Sequence, residues 1–155
     1  MNNSKLRIAA YTRIALDEEY KKEYNESIIE QKKIITDGCN WNFPNCTLDF
    51  YTDTNCSGNT FDGRIEYPKL REKLFNKEYD ILIFKDLSRF SRPENKEALK
   101  ELKTIAESGV RIIAIDNHID YDIDTPDEWW RVLFYFYPLD LARLYEIMKG
   151  TQVNG

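Results

Sequence analysis

Arginines carry the chemistry that this sequence could perform. The run Tyr79-Asp80-Ile81-Leu82-Ile83-Phe84 reads as a buried strand, and Lys85-Asp86-Leu87-Ser88-Arg89-Phe90-Ser91-Arg92-Pro93 follows it directly. A guanidinium keeps its charge at neutral pH and presents five donors on a rigid fork, which suits it to phosphate. On its own this stretch reads as a surface loop with two solvated arginines. Two further arginines alter that reading. Arg13 ends a first strand-like stretch, and Arg64 follows a Ser57-Gly58 loop beyond a second. Open α/β sheets place ligands at the carboxyl ends of their strands, so Arg13, Arg64, Arg89 and Arg92 are expected to converge at one edge. No acidic or metal-ligand cluster stands among them, which fits a phosphate better than a carboxylate–metal centre.

The elements that must position these side chains follow from hydrophobic periodicity. Leu6 to Ile14 alternates as a strand, with Tyr11, Arg13 and Ala15 on one face and Thr12 on the other. Ala15 to Glu26 is charged and reads as a mobile loop. Ser27-Ile28-Ile29-Glu30 has the form of a capping box opening a helix that Gly38 ends. Thr47–Tyr51 is a second strand, Asp53–Gly63 a loop, Glu66–Asn76 a helix and Tyr79–Lys85 a third strand. Pro93 suits the first turn of a helix running to Ser108 before Gly109. Val110–Ile115 is apolar throughout, as a central parallel strand should be. Alternating strands and helices predict an α/β fold, a mostly parallel sheet flanked by helices on both faces. From Asp127 to Lys149 a helical pattern carries apolar residues on more than one face, and Pro138 kinks or splits it. That segment either lies under the domain or packs against another subunit.

Composition narrows the functional classes. With 155 residues, 42% hydrophobic and 14% aromatic, the chain can bury a core as one domain. A net charge of -5 argues against coating nucleic acid electrostatically but permits a local cationic site. Cys39, Cys46 and Cys56 lack paired zinc spacing and read as free thiols in a reducing compartment. There is no apolar leader, and the Trp129–Leu144 stretch is too short and too charged to span a membrane. A cytoplasmic protein with no membrane partner is expected. His118, the sole histidine, reads as a loop residue, and Trp129 and Trp130 as core or interface residues rather than base-stacking platforms. The acidic run from Asp116 to Glu128 lacks EF-hand spacing and reads as a solvated loop. Neither GxGxxG nor a P-loop is present, which weakens a nucleotide-binding reading.

Five short motifs, in order, resemble the catalytic domain of the serine recombinases, the resolvase and invertase superfamily, and especially its large or transposon-type members. They are Tyr11-Thr12-Arg13-Ile14; Ser27-Ile28-Ile29-Glu30-Gln31; Asp53 with Ser57-Gly58 and Phe61-Asp62-Gly63-Arg64; Lys85 through Arg92; and Gly109 through Asp116. The resemblance covers about residues 6–122. It implies a resolvase-like catalytic core over 1–125 and, over 126–150, a long C-terminal interface helix leading toward a DNA-binding region absent from this sequence. It also implies double-stranded DNA as partner, homodimers and homotetramers formed through that helix, and strand exchange through a 5′-phosphoserine bond without metal or cofactor. Arg13, Arg64, Arg89 and Arg92 would hold the scissile phosphate. Gln31 would support the site by hydrogen bonding, with Asp53, Ser57 and Ser88 in supporting positions.

One departure bears on activity. Where the family has its nucleophilic serine, two residues after the first arginine, this chain has Ala15. A methyl group cannot attack phosphorus, so the chain is expected to be inactive as written. Thr12 faces away, and Ser27, Ser57 and Ser88 match other family positions. Ala15 is either an engineered knockout or the mark of a natural degenerate recombinase. Four unpaired cations kept together favour recent loss or engineering. An added Gly63 precedes Arg64, and Ser91 replaces the family's glycine, which stiffens that loop. The final Gly150–Gly155 stretch reads as a catalytic domain cut short, or as the end of a short degenerate protein. A regulatory pseudo-recombinase acting by oligomerisation is the alternative reading.

Overall fold

The computed structural model describes residues 5–14, 21–54 and 56–138, with positions 143, 145, 146 and 149 beyond them. Its first strand, β1 (Arg7–Arg13), is buried from Ile8 onward. Such a strand must have neighbours on both edges and cover on both faces. It lies second in a five-stranded sheet, between β2 (Thr47–Asp53) and β3 (Ile81–Phe84), with β4 (Arg111–Ala114) and β5 (Ile119–Tyr121) beyond. The β1–β2, β1–β3 and β3–β4 pairs are parallel, and β4–β5 is antiparallel.

Side-chain alternation along β1 splits the core into two layers. Ile8 and Ala10 join Ile35, Cys39, Ile81 and Ile83 beneath α1 (Lys21–Asn42). Ala9 and Tyr11 face the other side. There Leu70 and Leu74 of α2 (Glu66–Phe75), Leu102 and Ile105 of α4 (Lys96–Glu107), and Val132 and Phe136 of α5 (Trp129–Phe136) close the core. The expected arrangement, a mostly parallel sheet flanked by helices, is therefore the one observed.

Several boundaries differ from expectation. The charged stretch at Lys21–Glu26 is the start of α1, not part of a loop, because its Lys and Glu residues are good helix formers. Ser27 thus lies within the helix and accepts a hydrogen bond from Gln31 Nε2 at 3.4 Å instead of capping it. Gly38 does not end the helix either. A Cβ there would lie 3.4 Å from Ile115 Cδ1, so the small residue accommodates close packing on the sheet. Residues 15–20 of the expected loop, Ala15 among them, lie outside the described residues.

After β3 the chain forms one helical turn, α3 (Leu87–Phe90), where a loop is expected because four residues are too few for a period. Asp86 caps it, accepting from Ser88 N at 2.9 Å. Pro93 lies in a turn ahead of α4, where Asn95 N donates to Arg92 O at 3.1 Å, and not in the helix. Part of the expected acidic loop is β5, held by the Arg111–Asp120 ion pair at 2.6 Å. His118, exposed at φ +55°, turns the chain between β4 and β5.

The terminal helix pattern resolves into a 3₁₀ turn (Pro126–Glu128) and α5, which ends at Tyr137 just before Pro138. One face of α5 lies under the domain, the first of the two expected alternatives. Val132 and Phe136 are buried, whereas Trp130, Leu133 and Phe134 are 50%, 41% and 47% exposed. The pattern from Leu141 to Lys149 falls mostly outside the described residues. Among the described residues, no helix is long and apolar enough to cross a membrane.

Candidate phosphate-binding site

The site begins where β1 runs past the end of β3, leaving one edge of Arg13 without a strand partner. Gln31 supplies one. Its buried amide accepts from Arg13 N at 3.3 Å and donates to Arg13 O at 3.2 Å, mimicking a peptide group. The backbone that carries Arg13 is thereby fixed between β2 and α1. Gln31 supports the site through the backbone of Arg13.

Arg13 is 4% exposed, and its guanidinium ties three segments together. Nε donates to Arg89 O at 2.8 Å, Nη1 to Cys56 O at 2.8 Å, and Nη2 to Ser88 O. These bonds leave two of its five N–H groups uncommitted. Ser88 contributes through its carbonyl, while its hydroxyl donates to Asp86. Arg89 returns the contact, Nη1 donating to Arg13 O at 3.3 Å, and pairs with Asp86 at 3.7 Å.

Arg64 arrives from the other loop. Gly63 adopts φ +77°, a turn that glycine makes without strain, and Arg64 follows it into the interior. Its guanidinium lies 4.7 Å over the Phe61 ring, and Nη2 donates to Ser57 O at 3.2 Å. Nη1 reaches the Tyr11 hydroxyl at 3.5 Å. Asp53, the strand partner of Arg13 on β2, holds this corner with its carboxylate. One carboxylate oxygen accepts from Ile65 N and Glu66 N at 2.9 and 2.8 Å, the other from Tyr67 N and Tyr11 OH at 3.0 and 2.8 Å. It therefore caps α2 from a neighbouring strand, at the end where carboxylates are favoured.

Arg92 is exposed, and its backbone N donates to Gly58 O at 2.8 Å. The single Ser91 hydroxyl proton is shared between Arg92 O at 2.8 Å and Gly58 O at 3.3 Å. Ser91 in place of glycine thus stitches this loop to the Gly58 loop. A Cβ at Gly58 would lie 2.7 Å from Arg13 Nη2 and 2.8 Å from Arg92 Cγ. Gly58→Ala is accordingly expected to push two guanidinium-bearing side chains apart and to cost about 1–3 kcal/mol, measurable as a lowered urea midpoint.

The four cations act on one another. Arg13 has its pKa lowered to about 10, by burial first and then by Arg64, Arg89 and Arg92, yet it remains charged at neutral pH. Among the described residues, no carboxylate lies in ion-pair range of Arg13, Arg64 or Arg92, and Arg64 Nε and Arg89 Nε are buried without a hydrogen-bond partner. A group of this kind, with donors held in place and positive charge in excess, can stabilise an anion without rearranging. The structure brings together seven of the eight site residues expected around Ala15 at short range, Arg13, Gln31, Asp53, Ser57, Arg64, Ser88 and Arg89, with Arg92 joined through Gly58. Gly58, Tyr11, Asp86 and Ser91 were not foreseen as its fasteners. Tyr11 could have been found from its place two residues before Arg13 on the same strand face.

This fold, with strand ends meeting at one edge under a C-terminal helix, is that of a resolvase-like catalytic domain. The family model for the resolvase N-terminal domain matches residues 8–135, and the chain belongs to that family, the serine recombinases, which are enzymes. Among solved structures, the N-terminal catalytic domain of TP901-1 integrase matches with a TM-score of 0.64 at 21% identity, covering 87% of this chain and 98% of that one. A resolvase family site-specific recombinase from Streptococcus pneumoniae matches with a TM-score of 0.64 at 20% identity, over 97% and 99%. The C-terminal catalytic domain of ISC1926 TnpA, an IS607-like serine recombinase, matches with a TM-score of 0.55 at 16% identity, over 71% and 70%. At these identities the likeness is one of fold. No curated protein matches the sequence.

Proposed function

We propose that this chain is the catalytic domain of a cytoplasmic site-specific DNA recombinase that grips a DNA phosphodiester with Arg13, Arg64, Arg89 and Arg92 and, with Ala15 at the nucleophile position, does not cut it. The observation that carries the reading is the convergence of these arginines from three strand ends, with no carboxylate among the described residues in ion-pair range of Arg13, Arg64 or Arg92. Residues 1–125 form the phosphate-handling core, and 126–150 the segment that joins subunits.

Salt dependence tests the phosphate grip. Each phosphate neutralised on a duplex contributes about 0.9 to the slope of log K against log salt, so the grip on one phosphodiester adds roughly −1 to the slope. Single replacement of Arg89 or Arg92 by methionine is expected to weaken binding and to flatten that slope by up to about one. Slopes unchanged by both replacements would show that DNA does not contact this edge.

The outer face of α5 supports a second reading. Trp130, Leu133 and Phe134 form an exposed apolar strip on a helix whose other face is buried, which fits a regulatory subunit that joins an active relative. Recovery of mixed oligomers after co-expression with an active serine recombinase would favour it, and strictly separate oligomers would remove it.

A further inference from the structure

We propose that Tyr135 is a positioning residue for Arg92, so that helix α5 sets the geometry of the outermost arginine of the group. The inference rests on the phosphate-binding reading above. Tyr135 lies on α5, and its hydroxyl donates to Ser91 O at 2.6 Å. That carbonyl belongs to the peptide unit whose N–H, on Arg92, donates to Gly58 O at 2.8 Å. One peptide plane is therefore gripped at its oxygen by α5 and at its nitrogen by the Gly58 loop, and a planar peptide held at both ends has little freedom to rotate. The Arg92 side chain leaves from the Cα that follows this plane. Without the phenol the plane is held at one end only, and Arg92 gains freedom that phosphate binding must then remove.

The surroundings fit a fixed donor. Burial, with Asp86 and Glu94 nearby, pushes the Tyr135 hydroxyl well above its ordinary range, so it keeps its proton at neutral pH. A second clasp lies beside it: Lys96 Nζ donates to Phe136 O and to Pro93 O, the latter at 2.8 Å, and sits 4.0 Å over the Tyr137 ring. The clasp holds the end of α5 against the Pro93 turn, and Tyr135 alone among these groups reaches the Arg92 peptide.

The experiment follows the arginine Nε–H signals of the full chain by NMR during titration with a short mixed-sequence DNA duplex. It compares the unsubstituted chain with Tyr135→Phe, which keeps the ring and removes only the hydroxyl. In Tyr135→Phe, half-saturation of the Arg92 signal is expected to need about three- to tenfold more DNA, and the Arg92 signal of the free protein should sharpen as the side chain gains motion. The Arg13 signal should keep its chemical shift, a result that general loosening of the fold would not give. An Arg92 signal that titrates and relaxes alike in both chains would overturn the positioning role while leaving the phosphate reading intact. Arginine signals that do not move with DNA in the unsubstituted chain would overturn the phosphate reading, and the positioning role with it.

Discussion

Ala15→Ser is expected to convert this chain from one that holds DNA to one that becomes covalently joined to it. The restored hydroxyl would attack a backbone phosphorus within reach of Arg13, forming the Oγ–P bond as the P–O3′ bond breaks. A 5′-phosphoserine would remain, and the freed 3′-oxygen would take a proton. The arginines would stabilise the extra negative charge of the pentacovalent state, where electrostatic preorganisation has its largest effect. Loss of a nucleophile from an otherwise intact site lowers turnover on the order of 10⁶-fold, so the contrast should be between no adduct and a readily seen one. Denaturing electrophoresis of a supercoiled plasmid reaction, with mass spectrometry of the serine-bearing peptide, would show it. A folded, DNA-bound Ala15→Ser protein that forms no adduct would remove the recombinase mechanism from this chain.

Asp53→Ala is expected to damage the fold more than any single change among the arginines. The buried carboxylate satisfies three backbone N–H groups at the start of α2 and the Tyr11 hydroxyl. Alanine removes all four acceptor contacts and leaves the donors in a space with little water. Each unsatisfied buried donor costs about 1–3 kcal/mol, and relaxation of the helix end recovers part of it. A net loss of roughly 3–5 kcal/mol follows, a large fraction of the stability of an ordinary domain. Urea unfolding followed by far-ultraviolet circular dichroism measures it. Arg64, which follows the same loop into the site, should lose its place over Phe61 before the domain unfolds globally. A midpoint within experimental error of the unsubstituted chain would show that Asp53 is not the anchor of this corner.

Much of this was legible in the sequence because the signals were long or local. The apolar run Ile81–Phe84 and the alternation through Ile8–Arg13 fixed two strands and the face on which Arg13 lies. Gly109, at φ +102°, marked the end of α4 as expected. The signals that failed were short or ambiguous. Gly38 carries the same side chain whether it ends a helix or lets one approach a sheet, and only its neighbour Ile115 distinguishes the two. Ser27 and Glu30 have capping-box spacing inside a helix as well as at its start. The Leu87–Phe90 turn and the Ile119–Tyr121 strand are shorter than any period that could reveal them. At the site, the arginines and the supporting Gln31 and Asp53 were visible, whereas Gly58 and Ser91 were not, because they act through groups distant in sequence.

The three carbonyl contacts of Arg13 also bear on how such a chain can change over time. The expectation that unpaired cations would disperse once the chemistry was lost treated all four arginines as serving the phosphate alone. Arg13 instead joins the Cys56, Ser88 and Arg89 backbones, and Arg64 joins Ser57 to the rings of Phe61 and Tyr11. Both therefore join loops of the fold to one another, whether or not DNA is ever cut. Their presence is therefore accounted for in part by the fold itself, and says little about whether the chain cuts DNA. Arg92 is the informative one. It is exposed, bonds only through its backbone among the described residues, and would be the first of the four free to drift in a lineage that no longer touches phosphate.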